Sequence, residues 1–138
     1  MNGTNHGRIV LGGLTAGLVV NVLETVLNVF VVGDAWADAM GALGIEQGGA
    51  AITLYVVFGF VIGIVAIWLY AAVRPRLGPG PVTAVKVGLV VWFLGWLWPT
   101  VGMLTWGMFP ADLLWFSIAW SLIELPLATL VGAWVYRE

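Results

Sequence analysis

The sequence predicts an all-α membrane protein, a single transmembrane domain over residues 1–138 in which four transmembrane helices form an antiparallel bundle. Of the 138 residues, 62% are hydrophobic and only 9% are charged, and the mean hydropathy is +1.05. A soluble domain carries roughly 25% charged residues, so this chain has too few polar side chains to cover a surface in water. A spanning helix needs about 20 mainly apolar residues, and four stretches are long enough: residues 9–32, 50–73, 82–106 and 113–136.

The composition also excludes several classes of function. The formal net charge of −2 provides no basic surface for nucleic acid. There is no cysteine, and the one histidine, His6, precedes the first apolar stretch, where we expect a loosely ordered tail. Disulfides, thiolate catalysis, zinc sites and membrane-embedded haem are thereby excluded, and we expect neither a metal nor another cofactor. We expect no enzyme, because no G-x-S-x-G, H-E-x-x-H or phosphate-binding glycine loop occurs.

The charged residues are distributed unevenly between the two ends of the predicted helices. If the helices alternate in direction, all five basic residues lie on one side: Arg8, Arg74, Arg76, Lys86 and Arg137. The connections on the other side carry only acids: Asp34, Asp38, Glu46 and Asp112. Because basic residues are retained on the cytoplasmic side, we expect a multi-pass protein of the bacterial inner membrane with both termini cytoplasmic.

The connections between the helices are short, which favours antiparallel neighbours. The run 74–81 contains three prolines and two glycines. Proline removes a backbone donor and glycine permits tight turns, so we predict that this run cannot continue the second helix and forms a stiff cytoplasmic hairpin.

The first connection is longer, and we predict a short helix within it that lies at the outer membrane interface. Trp36, Met40 and Leu43 recur at helical spacing, and we expect Asp34 to be the N-cap. The alternative is an irregular loop in which Trp36 is a simple interfacial anchor.

Two acidic residues lie inside the predicted helices, Glu24 in the first and Glu124 in the fourth. At a rise of about 1.5 Å per residue they lie about 13 and 18 Å below the acidic side, in hydrocarbon roughly 30 Å thick. A charged carboxylate there costs about 2.5 to 3.5 kcal/mol, and no Lys or Arg lies at that depth to neutralise it. We therefore predict that both side chains face the bundle interior, approach each other or a shared polar neighbour, and carry at least one proton between them.

Two interpretations of these acids follow from the polar stripes on the first and fourth helices. In the first, Glu24 and Glu124 form a proton-binding or cation-binding site, with Asn21, Asn28 and Ser121 as hydrogen-bonding partners. In the second, the same side chains only bond to one another and hold the two helices together, as polar groups commonly do in membrane bundles.

Four tryptophans, Trp92, Trp96, Trp98 and Trp120, lie deeper than the aromatic belt at the membrane surface explains, and three of them, Trp92, Trp96 and Trp120, are considered further. Stacked indoles beside a carboxylate suit a lipophilic cation, through cation–π attraction together with a counter-ion. We therefore treat the three as candidates for an aromatic pocket. The alternative is that they fill the core or contact lipid, as bulky aromatic side chains commonly do.

Several local motifs also carry a resemblance to a group of known proteins. They are Asn21-x-x-Glu24-Thr25-x-x-Asn28, Gly33-Asp34-x-Trp36, Trp68-Leu69-Tyr70-Ala71-Ala72-x-Arg74-Pro75-Arg76, Gly78-Pro79-Gly80-Pro81 and Trp134-x-Tyr136-Arg137-Glu138. With them the chain resembles an uncharacterised family of small bacterial four-helix integral membrane proteins, a resemblance that implies the fold and no activity. The chain is also superficially similar to the small multidrug resistance transporters in size and in the helix 1 carboxylate. The second membrane carboxyl and the long first connection depart from those transporters, so their mechanism is not carried over.

Together these features predict a small, non-enzymatic, polytopic inner-membrane protein, an accessory or self-assembling membrane subunit. Its expected partners are membrane lipid and further copies of itself or a larger membrane complex, without nucleic acid. The alternative is a proton-coupled small transporter or lipophilic-ligand binder that uses Glu24 and Glu124.

Overall fold

The computed structural model describes residues 4–136, within which all regular structure is helical. Four helices are long and apolar enough to cross a membrane, here called spans 1 to 4: His6–Val31, Gly49–Leu77, Pro81–Trp106 and Ala111–Val135. They fit a multi-pass membrane protein and lie close to the four predicted stretches. Arg137, one of the five basic residues of the predicted asymmetry, lies outside the described residues.

Span 1 begins earlier than predicted. His6 is its first residue rather than part of a tail, because the side chain of Asn5 caps the helix and accepts a hydrogen bond from the backbone nitrogen of Arg8 at 3.1 Å. Such a cap satisfies one of the free N–H groups at a helix start.

Two spans change their helical winding part-way along. Span 1 is α-helical over His6–Thr25 and π-helical over Val26–Val31. Span 3 is α-helical over Pro81–Trp92, π-helical over Phe93–Leu97 and α-helical again over Trp98–Trp106. A π turn accommodates an extra residue. Side chains beyond it therefore point in directions that a regular 3.6-residue period does not predict.

Spans 1 and 2 pack backbone against backbone through glycine. A side chain at Gly63 would collide with the carbonyl oxygen of Gly13 and the backbone nitrogen of Gly17. A Cβ added to Gly17 would lie 2.6 Å from the Cα of Phe60. Small residues permit this close approach in membrane bundles, and it fixes the rotation and height of span 1.

Span 4 contacts all three other spans and contributes many of the buried residues. It meets span 1 where Gly12 and Gly132 face each other, since a Cβ on either would lie within 2.7 Å of the other's carbonyl oxygen. It meets span 3 where Gly88 faces Pro126, since a Cβ added to Gly88 would lie 2.5 Å from the Cα of Pro126. These glycines hold the middle of span 4 between spans 1 and 3.

The end of span 2 corrects one prediction, because the helix continues through Arg74 and Pro75 to Leu77. Pro75 lies in the last turn, and the backbone nitrogen of Gly78 closes that turn by donating to the carbonyl of Arg74 at 2.9 Å. The hairpin itself is only three residues long, and its two glycines have φ of +82° and +124°, which side chains rarely adopt.

A short helix, Gly33–Ala42, follows span 1 directly. Its N-cap is Val32, so Asp34 lies inside the first turn and the prediction that it caps the helix is wrong. The helix starts earlier because span 1 runs on into it with a single residue between them. Trp36 and Ala39 pack against the apolar cluster of Leu27, Val32 and Leu113, and the Trp36 ring meets Phe109 edge-on at 5.3 Å.

Candidate functional site

The structure brings Glu24 and Glu124 together between spans 1 and 4. Glu124 is 1% exposed and Glu24 is half-buried, and the two carboxyl groups are close enough to interact electrostatically. The packing of spans 1 and 4 brings the two acids together, because the contact of Gly12 with Gly132 sets the two helices side by side. Gly12 and Glu24 belong to span 1, and Gly132 and Glu124 belong to span 4, so the same pair of helices carries the glycine contact and the two acids.

Glu24 has a partner on its own helix. The side-chain amide of Asn28 donates to Oε2 of Glu24 and also to its backbone carbonyl, both at 2.8 Å. The indole of Trp96, from the π-helical part of span 3, is a further polar neighbour of this carboxyl. Asn28 therefore occupies one side of Glu24 and leaves the other side to Glu124.

Glu124 lacks such a partner. The polar groups beside it are the Glu24 carboxyl and the Trp120 indole, yet within residues 4–136 neither Oε atom receives a hydrogen bond of ordinary geometry, and neither does Trp120 Nε1 make one. Two carboxylates offer only acceptors to each other. A proton or a cation between them supplies what the pair lacks.

Two of the predicted partners bond elsewhere. Asn21 donates through Nδ2 to the carbonyl of Val56 at 3.1 Å, tying span 1 to span 2. Ser121 donates to the carbonyls of Ser117 and Ile118 at 2.9 and 3.0 Å. A serine inside a helix commonly bonds back to the preceding turn in this way, so its hydroxyl is bonded within span 4 and not to the carboxyls.

The three candidate tryptophans all lie near the pair, and each is partly buried. Trp96 lies beside Glu24 and Trp120 beside Glu124. Trp92, one turn before Trp96, donates through its indole nitrogen to the carbonyl of Ile118 at 3.1 Å and so joins spans 3 and 4. Trp96 and Trp120 therefore place their indoles beside the carboxyls, and Trp92 positions the helix that carries Trp96.

Three irregularities of the helices also meet at this site. The first π segment begins two residues after Glu24, the second contains Trp96, and Pro126 follows Glu124 by two residues. π turns are frequent at functional sites, and a proline bends a helix because it removes a backbone donor. The sequence analysis missed both π segments.

Each π segment has a local cause that could have indicated it. Pro99 cannot donate to the carbonyl four residues before it, and just ahead of it Trp98 reaches back five residues to Phe93. In span 1 the Asn28 side chain bonds to the Glu24 carbonyl, which an α-helix reserves for its own backbone. Pro99 and Asn28 are therefore the sequence signals of the two π segments, and a hydropathy average does not detect them.

A groove of about 650 Å³ opens at the end of the molecule that carries the short helix, with Asp38 and Asp112 on its lining. Neither Glu24 nor Glu124 lines it. Val32 and Leu113, which form its apolar part, belong with Leu27 to the cluster that Trp120 packs against. An apolar layer therefore separates the groove from the carboxyl pair.

No family model matches the chain, and no curated protein or solved structure is significantly similar to it. Across residues 4–136, no group of three or more His, Cys, Asp or Glu side chains is arranged to hold a metal ion. The candidate site consists of two carboxyls, one amide and the flanking indoles.

Proposed function

We propose that the protein is a small proton-coupled transporter or binder of lipophilic cations in which Glu24 and Glu124 exchange a proton for the cation. The observation that carries this proposal is the state of Glu124, whose two carboxyl oxygens are buried without a donor and face a second carboxyl. Side chains that only hold helices together pair donors with acceptors. Here Asn21 and Ser121, the donors such an arrangement needs, are committed to backbone carbonyls.

Charge balance is compatible with an exchange of one proton for one monovalent cation. With one proton shared, the pair carries one negative charge. With the proton gone and a monovalent cation bound, the two carboxylates and the cation again sum to one negative charge. The exchange therefore leaves the net charge of the site unchanged, so a cation and a proton can alternate at the pair without altering its total charge.

The aromatic neighbours favour an organic cation. Trp96 and Trp120 flank the pair from spans 3 and 4. A cation over an indole face gains about 0.5 to 2 kcal/mol, the larger value when water is excluded. An ammonium or phosphonium group with apolar substituents matches both the carboxyls and the indoles, whereas a small hydrated ion gains little from the rings.

We further propose that the spans form one antiparallel domain. The supporting contacts run in opposite directions along spans 1 and 2, since Gly13 lies against Ile64 and Gly17 against Phe60. In this arrangement Arg8, Arg74, Arg76 and Lys86 collect at one end, the cytoplasmic side of the bacterial inner membrane, with both termini there. The helix Gly33–Ala42 then lies at the outer interface.

The test is the number of protons released when a lipophilic cation binds. Purified wild type, Glu24→Gln, Glu124→Gln and the double variant are titrated with tetraphenylphosphonium in weakly buffered detergent solution with a pH indicator. Glu46→Gln is the matched control, because Glu46 lies in an exposed connection. Wild type and the control are expected to release about one proton per cation, as the proposed one-for-one exchange requires, and Glu124→Gln none.

The competing function is the accessory or self-assembling subunit that the sequence favoured. If wild type binds the cation without releasing protons, or if the glutamine variants behave as wild type, the exchange is rejected and the subunit function remains. Helical circular dichroism of every variant separates a lost site from a lost fold.

A further inference from the structure

The groove beside the short helix combines apolar residues with two acids. It has a volume of about 650 Å³, which lies within the range of small-molecule sites. Val32 and Leu113 on its lining are buried, and Phe116 adds an aromatic ring. Asp38, from the short helix, and Asp112, from the first turn of span 4, supply the charge. The lining is therefore divided as a cation with apolar substituents is divided.

No basic side chain of the segments that form the groove balances these two acids. The groove is lined from residues 32–39 and 110–116, and the stretches 9–73 and 87–136 contain no Lys or Arg. The basic residues within 4–136 belong to the opposite ends of the spans: Arg8, Arg74, Arg76 and Lys86. A span of this length measures about 40 Å, several times the screening length of about 8 to 10 Å in ordinary salt. The groove therefore has a negative potential that the described part of the chain does not neutralise.

Helix stability accounts for one of the two aspartates and not for the other. Asp112 lies in the first turn of span 4, where a negative charge interacts favourably with the helix dipole. Asp38 lies beyond the first turn of the short helix, Gly33–Ala42, and aspartate is a poor helix former there. Its carboxylate is exposed on the lining of the groove, so its position suits a ligand better than it suits the helix.

The groove also lies next to the layer that covers the carboxyl pair. Val32 and Leu113 line the groove and form one apolar cluster with Leu27. Trp120 packs against that cluster and lies beside Glu124. A ligand in the groove is therefore separated from the carboxyl pair by this one cluster.

We propose that the groove is a binding site for lipophilic organic cations, separate from the carboxyl pair. Asp38 and Asp112 attract the charge, while Val32, Leu113 and Phe116 contact the apolar substituents. The choice of ligand rests on the proposed function, since a cation held here is next in line for the exchange at the pair. Two exposed carboxylates and one phenyl ring bind a cation weakly, which suits a site that the ligand has to leave again.

Binding in the groove can be measured by protection of a single cysteine, because the chain has none of its own. Ala35 is exposed and lines the groove, whereas Ala37, two residues later on the same helix, is exposed and does not line it. Purified Ala35→Cys and Ala37→Cys react in one detergent with uncharged N-ethylmaleimide at increasing concentrations of tetraphenylphosphonium. Labelling of Ala35→Cys is expected to slow about tenfold at about ten times the dissociation constant, and that of Ala37→Cys to stay unchanged.

Charge substitutions in the Ala35→Cys protein test the role of the aspartates, each variant being compared with itself without the cation. Asp38→Asn together with Asp112→Asn is expected to raise the half-protecting concentration about fivefold or more, since two charge interactions are lost. Asp34→Asn is the matched control, because it removes the same charge one turn earlier on the short helix and does not line the groove. All three aspartates are exposed, and circular dichroism checks that each variant is folded.

Three results would overturn the groove site. Equal protection of Ala35→Cys and Ala37→Cys would mean that the cation only enters the micelle. Equal protection by triphenylphosphine oxide, which is neutral and similar in shape, would mean that the groove does not select charge. An equal loss of affinity in Asp34→Asn would mean that only the general field of the acids attracts the cation.

The groove site and the proton exchange fail separately. When Glu24→Gln and Glu124→Gln are added to Ala35→Cys, protection is expected to persist, because neither carboxyl lines the groove. Loss of protection in that variant would place the cation at the carboxyl pair alone and would reject the groove site. Proton release without protection rejects the groove site and leaves the exchange standing, whereas protection without proton release supports the groove site and rejects the exchange.

Discussion

At the scale of single residues, the positions of Glu24 and Glu124 follow from the cost of a buried charge. Burial of a charge in hydrocarbon is so unfavourable that two acids at similar depth have to face inward, and Glu24 and Glu124 do. The hydrogen bonds of Asn21 and Ser121 depend on which carbonyl lies nearest to a flexible donor, here Val56 and Ser117. The alternative hydrogen bonds of one donor differ in free energy by about 1 kcal/mol, which is too little to be predicted from a pattern of residue types.

Substitutions at Glu124 are expected to separate stability from binding. Glutamine supplies the missing donor at nearly the same volume, so the free energy of unfolding of Glu124→Gln should stay within about 1 kcal/mol of wild type. Alanine leaves a cavity and exposes Glu24 to it, and Glu124→Ala should lose about 2 kcal/mol or more. Denaturant titration in mixed micelles, followed by circular dichroism, measures both.

The two variants also distinguish the roles of this carboxyl. A Glu124→Gln protein as unstable as Glu124→Ala would mean that the carboxyl itself holds the helices together, which contradicts the exchange mechanism. A stable Glu124→Gln protein that no longer releases protons is the result that mechanism requires.

At the scale of helices, hydropathy located the spans but not their packing. In lipid every backbone group has to be bonded within its own segment, so an apolar run of about 20 residues forms a helix. The Gly59 and Gly63 pair was recognisable as a contact motif, and both glycines are buried. Hydropathy does not show that Gly13 and Gly17 of span 1 face this pair, or that Gly88 packs against Pro126. Both contacts depend on how each helix is rotated about its own axis, and π segments and proline change that rotation.

The glycine contacts lead to a prediction about helix packing. Gly63→Ala is expected to lower the free energy of unfolding by about 2 kcal/mol, because the new methyl group collides with the backbone at Gly13 and Gly17. The matched control is Gly102→Ala in span 3, where a Cβ meets nothing within 4 Å. Alanine is a better helix former than glycine, so the control should be unchanged or more stable by up to about 1 kcal/mol.

Thermal unfolding of both variants in one detergent provides the comparison. Equal effects of the two substitutions would show that the close approach of spans 1 and 2 contributes nothing specific to stability. In that case the position of Glu24 would need another explanation, since the same contact sets the height of span 1.

At the scale of the whole molecule, charge lies at the two ends and in the carboxyl pair between them. Arg8, Arg74 and Arg76 lie at one end, while Asp38 and Asp112 line the groove at the other. The sequence predicted this asymmetry because it needs only the order of the spans. It did not predict the groove, since the lining combines residues 32–39 with residues 110–116, which are distant in the chain.

The orientation of the molecule in the membrane decides which face of the carboxyl pair meets the outside, and single cysteines can determine it because the chain has none of its own. Ala42→Cys, at the end of the short helix, should react with a membrane-impermeant maleimide in intact cells. Leu77→Cys, 53% exposed at the end of span 2, should react only after permeabilisation. Leu77 serves better than the neighbouring Gly78, whose φ of +82° makes any side chain strained.

The physical basis is the bias of basic residues toward the cytoplasm, which places the groove with Asp38 and Asp112 outside. In that orientation the groove attracts cations from the external solution, and the apolar layer of Leu27, Val32 and Leu113 has to open before they reach Glu124. Labelling of Leu77→Cys but not Ala42→Cys in intact cells would reverse this direction. The end that carries Arg74 and Arg76 would then face outward, and the carboxyl pair would be reached from the cytoplasm.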